Sequence, residues 1–158
     1  MEFTTADLYD EYGDDLKVAL PVFNDYGGKL TFSGPVSTVK CHEDNSLVRN
    51  ALEEPGQGRV LVVDGGESLR CALVGDMLAR LGEENGWSGI VVSGCIRDTE
   101  VMKTINIGVK AMATNPRKSL KKGAGDRDIR VTIAGIDCSP GEYLYADADG
   151  IVISAEPL

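Results

Sequence analysis

Apolar and polar positions along this chain alternate between a period near two and a period near 3.6, which predicts short strands interleaved with short helices. Thr4 or Thr5 is placed to cap a first helix through Tyr12, with Asp7 in its first turn. After Gly27-Gly28, Lys29 to Cys41 reads as a strand interrupted at Gly34-Pro35, with Val36, Thr38 and Lys40 on one face and Ser37, Val39 and Cys41 on the other. Asp44 or Asn45 caps a second helix in which Leu47, Val48, Ala51 and Leu52 share a face, and Pro55-Gly56 ends it. Arg59 to Val63 is a continuous apolar run, as expected of a strand buried on both faces, broken by Asp64-Gly65-Gly66. A helix is predicted from Gly75-Asp76 to about Glu84, with Met77, Leu78 and Leu81 inward and Gly86-Trp87 at its end. Ile90 to Ile96 reads as the next buried strand, followed at once by Arg97-Asp98 and a short helix through Ile105. Val109–Ala113, Ile129–Ile133, Tyr143–Tyr145 and Gly150–Ile153 complete the strands, and the charged stretch from Lys118 to Arg130 reads as a solvated loop.

The length of 158 residues suits one domain spanning 1–158, large enough to fold without a disulfide or metal staple. The expected class is α/β, with a central mixed sheet sandwiched by helices. Sixteen Lys and Arg against 25 Asp and Glu leave a charge of −9, which argues against direct nucleic-acid binding, since phosphate contacts need clustered cations. No run approaches the roughly 20 apolar residues of a membrane span, and the N-terminus lacks a basic-then-apolar secretory pattern. Cys41, Cys71, Cys95 and Cys138 form no CxxC pair and read as buried hydrophobes of a cytoplasmic protein.

Candidate chemistry gathers where two apolar strands end. In α/β sheets ligands collect outside the carboxyl ends of strands, and consecutive parallel strands usually lie close together. The turn leading to Gly75-Asp76 and the segment Cys95-Ile96-Arg97-Asp98 would then share one edge. Asp76 and Asp98 offer the hard oxygens Mg²⁺ prefers, Arg97 offers a planar fork for a carboxylate, and the free first-turn amides of Met77 and Leu78 would face an anion. Together these could stabilise the enolate of a small 2-oxo acid. Taken singly, an Asp at a helix start is more often an ordinary cap or first-turn charge, and an Arg-Asp pair after a strand is commonly structural.

The run Gly58 to Gly66 with Ser68-Leu69-Arg70, together with Val39-Lys40-Cys41, Glu43-Asp44-Asn45, Tyr143 to Asp147 and Asp149-Gly150-Ile151, resembles the family named for the regulator of ribonuclease activity A. The resemblance covers nearly the whole chain. It implies a swivelling β/β/α fold and a homotrimer, or a dimer of trimers, with active sites in clefts between subunits. The same superfamily contains the metal-dependent 4-hydroxy-4-methyl-2-oxoglutarate and 4-carboxy-4-hydroxy-2-oxoadipate aldolases. Their signature of an Asp, twenty intervening residues and then Arg-Asp is matched by Asp76, Arg97 and Asp98. The resemblance therefore implies that Asp98 ligates Mg²⁺ or Mn²⁺ directly, that Asp76 holds metal-bound water, that Arg97 binds the pyruvoyl end and steadies the enolate, and that Gly75, Asp76, Met77 and Leu78 line the substrate site, the last two with amides for its carboxylate. The expected reaction is retro-aldol cleavage to pyruvate, with oxaloacetate decarboxylation as a side activity. The alternative that the resemblance offers is a non-enzymatic regulator that binds and inhibits ribonuclease E.

Other motifs carry less. His42 has no GxSxG elbow to serve, and neither Gly65-Gly66 nor Gly123-Ala124-Gly125 makes a nucleotide loop. Lys40 and Lys110 sit on predicted strands as the lysines a Schiff-base route would need. Cys95 reads as core, and Trp87 as packing at the end of its helix.

Overall fold

Two-residue alternation in the longest strands decides how the layers stack. The computed structural model describes residues 2–158 in the order α1 (Thr5–Tyr12), β1 (Lys17–Val18), β2 (Asn24–Asp25), β3 (Phe32–Lys40), α2 (Ser46–Glu53), β4 (Val60–Asp64), β5 (Ala72–Val74) and α3 (Asp76–Glu84). There follow β6 (Gly89–Ile96), α4 (Thr99–Met102), β7 (Gly108–Thr114), β8 (Asp126–Arg127), β9 (Val131–Ile133), β10 (Ile136–Cys138), β11 (Tyr143–Asp147) and β12 (Gly150–Ser154). Strands β3, β4, β6 and β7 are parallel neighbours, while β11 runs antiparallel to β3 and forms a hairpin with β12.

Alternate residues of the parallel strands feed opposite cores. Val39, Leu61, Val63, Ile90 and Val92 pack with Val48, Leu52, Leu78 and Ala79 of α2 and α3. Val36, Val60, Val62 and Val91 point the other way, against Val131, Ile133 and Cys138 of the β9–β10 hairpin and Leu144, Ile151 and Ile153 of β11 and β12. The layers are thus helix, sheet and sheet, and helices cover one face of the parallel strands while strands cover the other. Helix α1 packs outside, its Leu8 against Tyr145 and Val152.

The sheet curls. Its order is β1-β12-β11-β3-β4-β6-β7-β2, so the two end strands are consecutive in sequence and joined only by residues 19–23. The ends must therefore approach each other, and Lys110 ties them: its buried ammonium pairs with Asp25 of β2 at 2.9 Å and donates to the Asp147 carbonyl of β11 at 2.7 Å. Asp147 in turn accepts from the Thr5 amide and hydroxyl at the start of α1, both at 2.7 Å. Burial would raise the Asp147 pKa, but those hydrogen bonds prevail and lower it. Lys110 is therefore a structural tie, and Lys40 lies exposed on the rim.

The predicted elements are found with adjusted ends. The Lys29–Cys41 strand is confined to Phe32–Lys40, because Gly28 and Lys29 donate instead to the carbonyls of Ile105 and Ile107. Asn45 stands at the start of α2 without a capping bond; the Asp44 carboxylate takes the Ser46 amide and hydroxyl instead. Met77 is largely exposed rather than inward. Strand β5 has no counterpart in the prediction. All four cysteines are free and buried, and Trp87 is buried with its indole N–H donating to the Glu54 carbonyl.

Candidate active site

Strands β4 and β6 are parallel neighbours, and β6 runs three residues past the end of β4, where β5 pairs with its last residues. This pairing brings Gly75, immediately after β5, against Arg97 and Asp98, immediately after β6. The amide of Asp76 donates to the Asp98 carboxylate at 3.0 Å, joining the two segments. A Cβ at position 75 would lie 2.6 Å from Asp98 Oδ2, so only glycine lets the carboxylate approach the start of α3 this closely.

Asp98 itself adopts a left-handed conformation, φ 65° and ψ 43°. A non-glycine residue there stores backbone strain, and such strain concentrates at functional positions. The Arg97 guanidinium donates to the Pro116 carbonyl at 3.2 Å, which leaves further N–H donors of its fork for a ligand. Helix α3 keeps its first turn open: Ala79 is the first residue whose amide bonds back, to the Gly75 carbonyl. With the Asp76 amide taken by Asp98, those of Met77 and Leu78 are the free donors at a positive helix end.

These residues line one small cleft of about 90 Å³, and it contains all six predicted positions: Gly75, Asp76, Met77, Leu78, Arg97 and Asp98. Its other wall comes from residues that the sequence reading missed. Asn45 and Arg49 enter from α2, and Lys118, Ser119 and Lys121 enter from the stretch read as a solvated loop. The stretch is an exposed loop as expected, Ser119 apart, but it is anchored at several points. Lys118 and Leu120 form single bridges with Ala72 and Asp44, and the amides of Lys122 and Ala124 donate to Asp44 Oδ2 at 2.8 and 3.1 Å. Burial would raise the Asp44 pKa, but the hydrogen bonds from Ser46, Ala124 and Lys122 outweigh it and hold the carboxyl at about 2. Two buried atoms in the cleft have no protein partner, Asn45 Oδ1 and Ser119 Oγ.

Among the described residues, no group of three or more His, Cys, Asp or Glu side chains is placed to hold a metal ion. The carboxylates that line the cleft are those of Asp76 and Asp98, and Asp98 keeps one oxygen outside its bond from the Asp76 amide. Two carboxylates suit Mg²⁺, which keeps several waters and completes its shell with substrate oxygens, better than an all-protein cage would. The residues present fit a weakly held divalent cation.

His42 lies outside this cleft. Its ring is 62% exposed and 3.2 Å from Arg70, which pairs with Glu43 at 2.6 Å. The Cys95 thiol is buried and its pKa raised by that burial, so it is a core residue.

The sequence profile of the Aldolase/RraA family matches residues 5–153. The chain belongs to this family. An Aldolase/RraA relative from Alkalilimnicola ehrlichii, named "Putative 4-hydroxy-4-methyl-2-oxoglutarate aldolase", is 58% identical over all of this chain and 98% of its own length. A relative of the same name from Aromatoleum aromaticum is 56% identical, covering 100% of this chain and 99% of its own. Two solved structures superpose almost throughout. The RNA-processing inhibitor RraA from Thermus thermophilis has a TM-score of 0.96 at 46% identity, over 100% of this chain and 96% of that one. A Geobacillus kaustophilus HTA426 protein described as an S-adenosylmethionine:2-dimethylmenaquinone methyltransferase has a TM-score of 0.97 at 49% identity, over 99% and 97%. One fold thus carries several descriptions, and the activity must be argued from the site.

Proposed function

We propose that this chain is a divalent-metal-dependent aldolase that cleaves a 4-hydroxy-2-oxo diacid, 4-hydroxy-4-methyl-2-oxoglutarate or 4-carboxy-4-hydroxy-2-oxoadipate, to pyruvate and a second oxo acid. The observation that carries the reading is the junction of Asp98, Gly75 and the first amide of α3, with Arg97 and two free helix amides around it. The relatives' names point to the same reaction.

As the C3–C4 bond breaks, the C4 hydroxyl proton passes to water, the C4 carbonyl of the second oxo acid forms, and the electron pair left at C3 delocalises onto the 2-oxo oxygen; water returns a proton later. The amides of Met77 and Leu78 hold the C1 carboxylate, helped by the positive end of α3. The Arg97 guanidinium lies over the same end and stabilises the enolate charge as it develops. Asp98 and Asp76 would hold Mg²⁺ or Mn²⁺, whose contribution is Lewis-acid polarisation of the 2-oxo group. The enolate then takes a proton at C3 and leaves as pyruvate. Oxaloacetate decarboxylation passes through the same enolate and is expected as a side activity.

The test is pyruvate release from 4-hydroxy-4-methyl-2-oxoglutarate and from oxaloacetate, with Mg²⁺ or Mn²⁺ and then with excess EDTA. Turnover that EDTA abolishes and added metal restores is the expected result; no turnover of either substrate by folded protein overturns it.

A second reading has its own support. The 46% identity to an RNA-processing inhibitor extends over the whole chain, and a charge of −9 suits attraction to basic segments of a protein partner. Under that reading the chain binds ribonuclease E and lowers its activity without turnover. The homotrimer expected from the resemblance and a cytoplasmic location belong to both readings.

A further inference from the structure

The cleft is electropositive in an acidic protein. Arg49, Arg97, Lys118 and Lys121 face only Asp76 and Asp98, so its walls carry an excess of two positive charges in a chain of net charge −9. The proposed reaction engages Arg97 and the α3 amides with the pyruvoyl end of the substrate. That leaves the opposite wall, contributed by α2 and residues 118–121, without a ligand group to meet. On that wall Ser119 is only 5% exposed, yet its hydroxyl has no hydrogen-bond partner in the protein. A buried polar atom of this kind is normally satisfied, and Ser119 lines the cleft together with Arg49, Lys118 and Lys121, so an anion's oxygen would supply the acceptor its hydroxyl lacks.

We propose that Arg49, Lys118 and the Ser119 hydroxyl form a second anion subsite that reads the distal carboxylate of the substrate. The proposal rests on the aldolase reading for the pyruvoyl end, and it names the residues that make a 2-oxo diacid the substrate rather than a 2-oxo monoacid. Asp44 positions the subsite. Its carboxylate holds the amides of Lys122 and Ala124 on one oxygen and the Ser46 amide and hydroxyl on the other, which fastens the 118–124 segment to the start of the helix that carries Arg49. The Leu120 amide donates to the Glu43 carbonyl and reinforces the same junction. A ligand carboxylate here would accept from Ser119 and from charged donors, and charge-assisted hydrogen bonds are the strong ones.

The subsite can be tested by binding alone, separately from cleavage. 2-Oxoglutarate and 2-oxobutyrate share the pyruvoyl end, and neither carries a 4-hydroxyl for retro-aldol cleavage; only the first has a distal carboxylate. Titration calorimetry with Mg²⁺ present should show 2-oxoglutarate binding about tenfold or more tightly than 2-oxobutyrate. Arg49→Ala, Lys118→Ala and Ser119→Ala should each shrink that ratio, leaving 2-oxobutyrate affinity unchanged. In cleavage assays the same variants should raise KM for 4-hydroxy-4-methyl-2-oxoglutarate with kcat nearly kept, and leave cleavage of 4-hydroxy-2-oxopentanoate, which lacks the distal carboxylate, as in wild type. Equal affinity of the wild type for the two oxo acids, or variants that weaken both alike, would overturn the subsite even if the enzyme cleaves its substrate. A dicarboxylate preference that these variants erase, in a protein without aldolase turnover, would uphold the subsite and overturn the reaction.

Discussion

Replacing Gly75 by alanine isolates the geometry of the proposed centre, because it removes no functional group. Position 75 has φ −122°, which any residue adopts, so the substitution imposes no backbone strain. Its whole effect comes from the added methyl, which would stand 2.6 Å from Asp98 Oδ2. A relaxed contact needs the carboxylate to retreat by about 0.4–0.8 Å, and misplacements approaching 1 Å at a reacting centre cost on the order of 10²-fold in rate. Retreat also breaks or stretches the 3.0 Å bond from the Asp76 amide, a charge-assisted hydrogen bond worth about 1.5–3 kcal/mol. Asp98 sits at the start of α4 in a strained conformation, so its backbone has little freedom to compensate. Gly75→Ala should therefore lower kcat/KM for pyruvate release by about 30- to 100-fold, measured by coupling to lactate dehydrogenase at saturating Mg²⁺. It should also weaken the thermal stabilisation produced by Mg²⁺. Wild-type kcat/KM in a variant of unchanged fold would refute the reasoning, since it would mean the Asp98–α3 junction is not part of the reacting centre.

Further outcomes follow from other parts of the structure. Asp98→Asn preserves the shape and tolerates the left-handed backbone, so melting without metal should stay close to wild type, while Mg²⁺-dependent stabilisation and turnover disappear. Arg97→Lys keeps the charge but loses the planar fork, and a fall of 10²–10³ in kcat is expected from loss of enolate stabilisation; a fall confined to KM would assign Arg97 to ground-state binding only. Protonation of Asp44 should contribute to acid unfolding. Its folded pKa of about 2 lies below the ordinary 3.8, so its contribution is complete above 3.8 and is lost as pH falls toward 2. Asp44→Asn should flatten the wild-type loss of stability between pH 4 and 2, followed by urea unfolding at each pH. Phe32 lies over Gly89 and Gly108, which are register partners across β6 and β7, and a Cβ on either would run into its ring. Gly108→Ala should destabilise the fold by about 1–3 kcal/mol through overpacking, and Phe32→Leu in that background should recover part of the loss in the denaturation midpoint.

The reach of the sequence was set by how local each signal is. Arg59 to Val63 and Ile90 to Ile96 are apolar runs whose burial on both faces follows from their own composition, and both are central strands. The polar turns after two apolar strands, with the Asp…Arg-Asp signature of the family that the chain resembles, named one wall of the cleft. The opposite wall was hidden because nothing near Lys118 to Arg130 is periodic: its order comes from Asp44, 78 residues before Lys122, and from Ala72, the bridge partner of Lys118. A buried carboxylate that gathers backbone amides from a distant loop leaves no pattern in the loop itself. The curl of the sheet was equally illegible, since β1 and β2 are two residues each and gain their meaning only by pairing with β12 and β7 at opposite ends. Local periodicity therefore determined the long central strands and the helices, and the family resemblance picked out Asp76, Arg97 and Asp98 as candidates. Long-range pairing of backbone donors with distant acceptors decided which loops became walls, because that free energy exists only once the chain has folded.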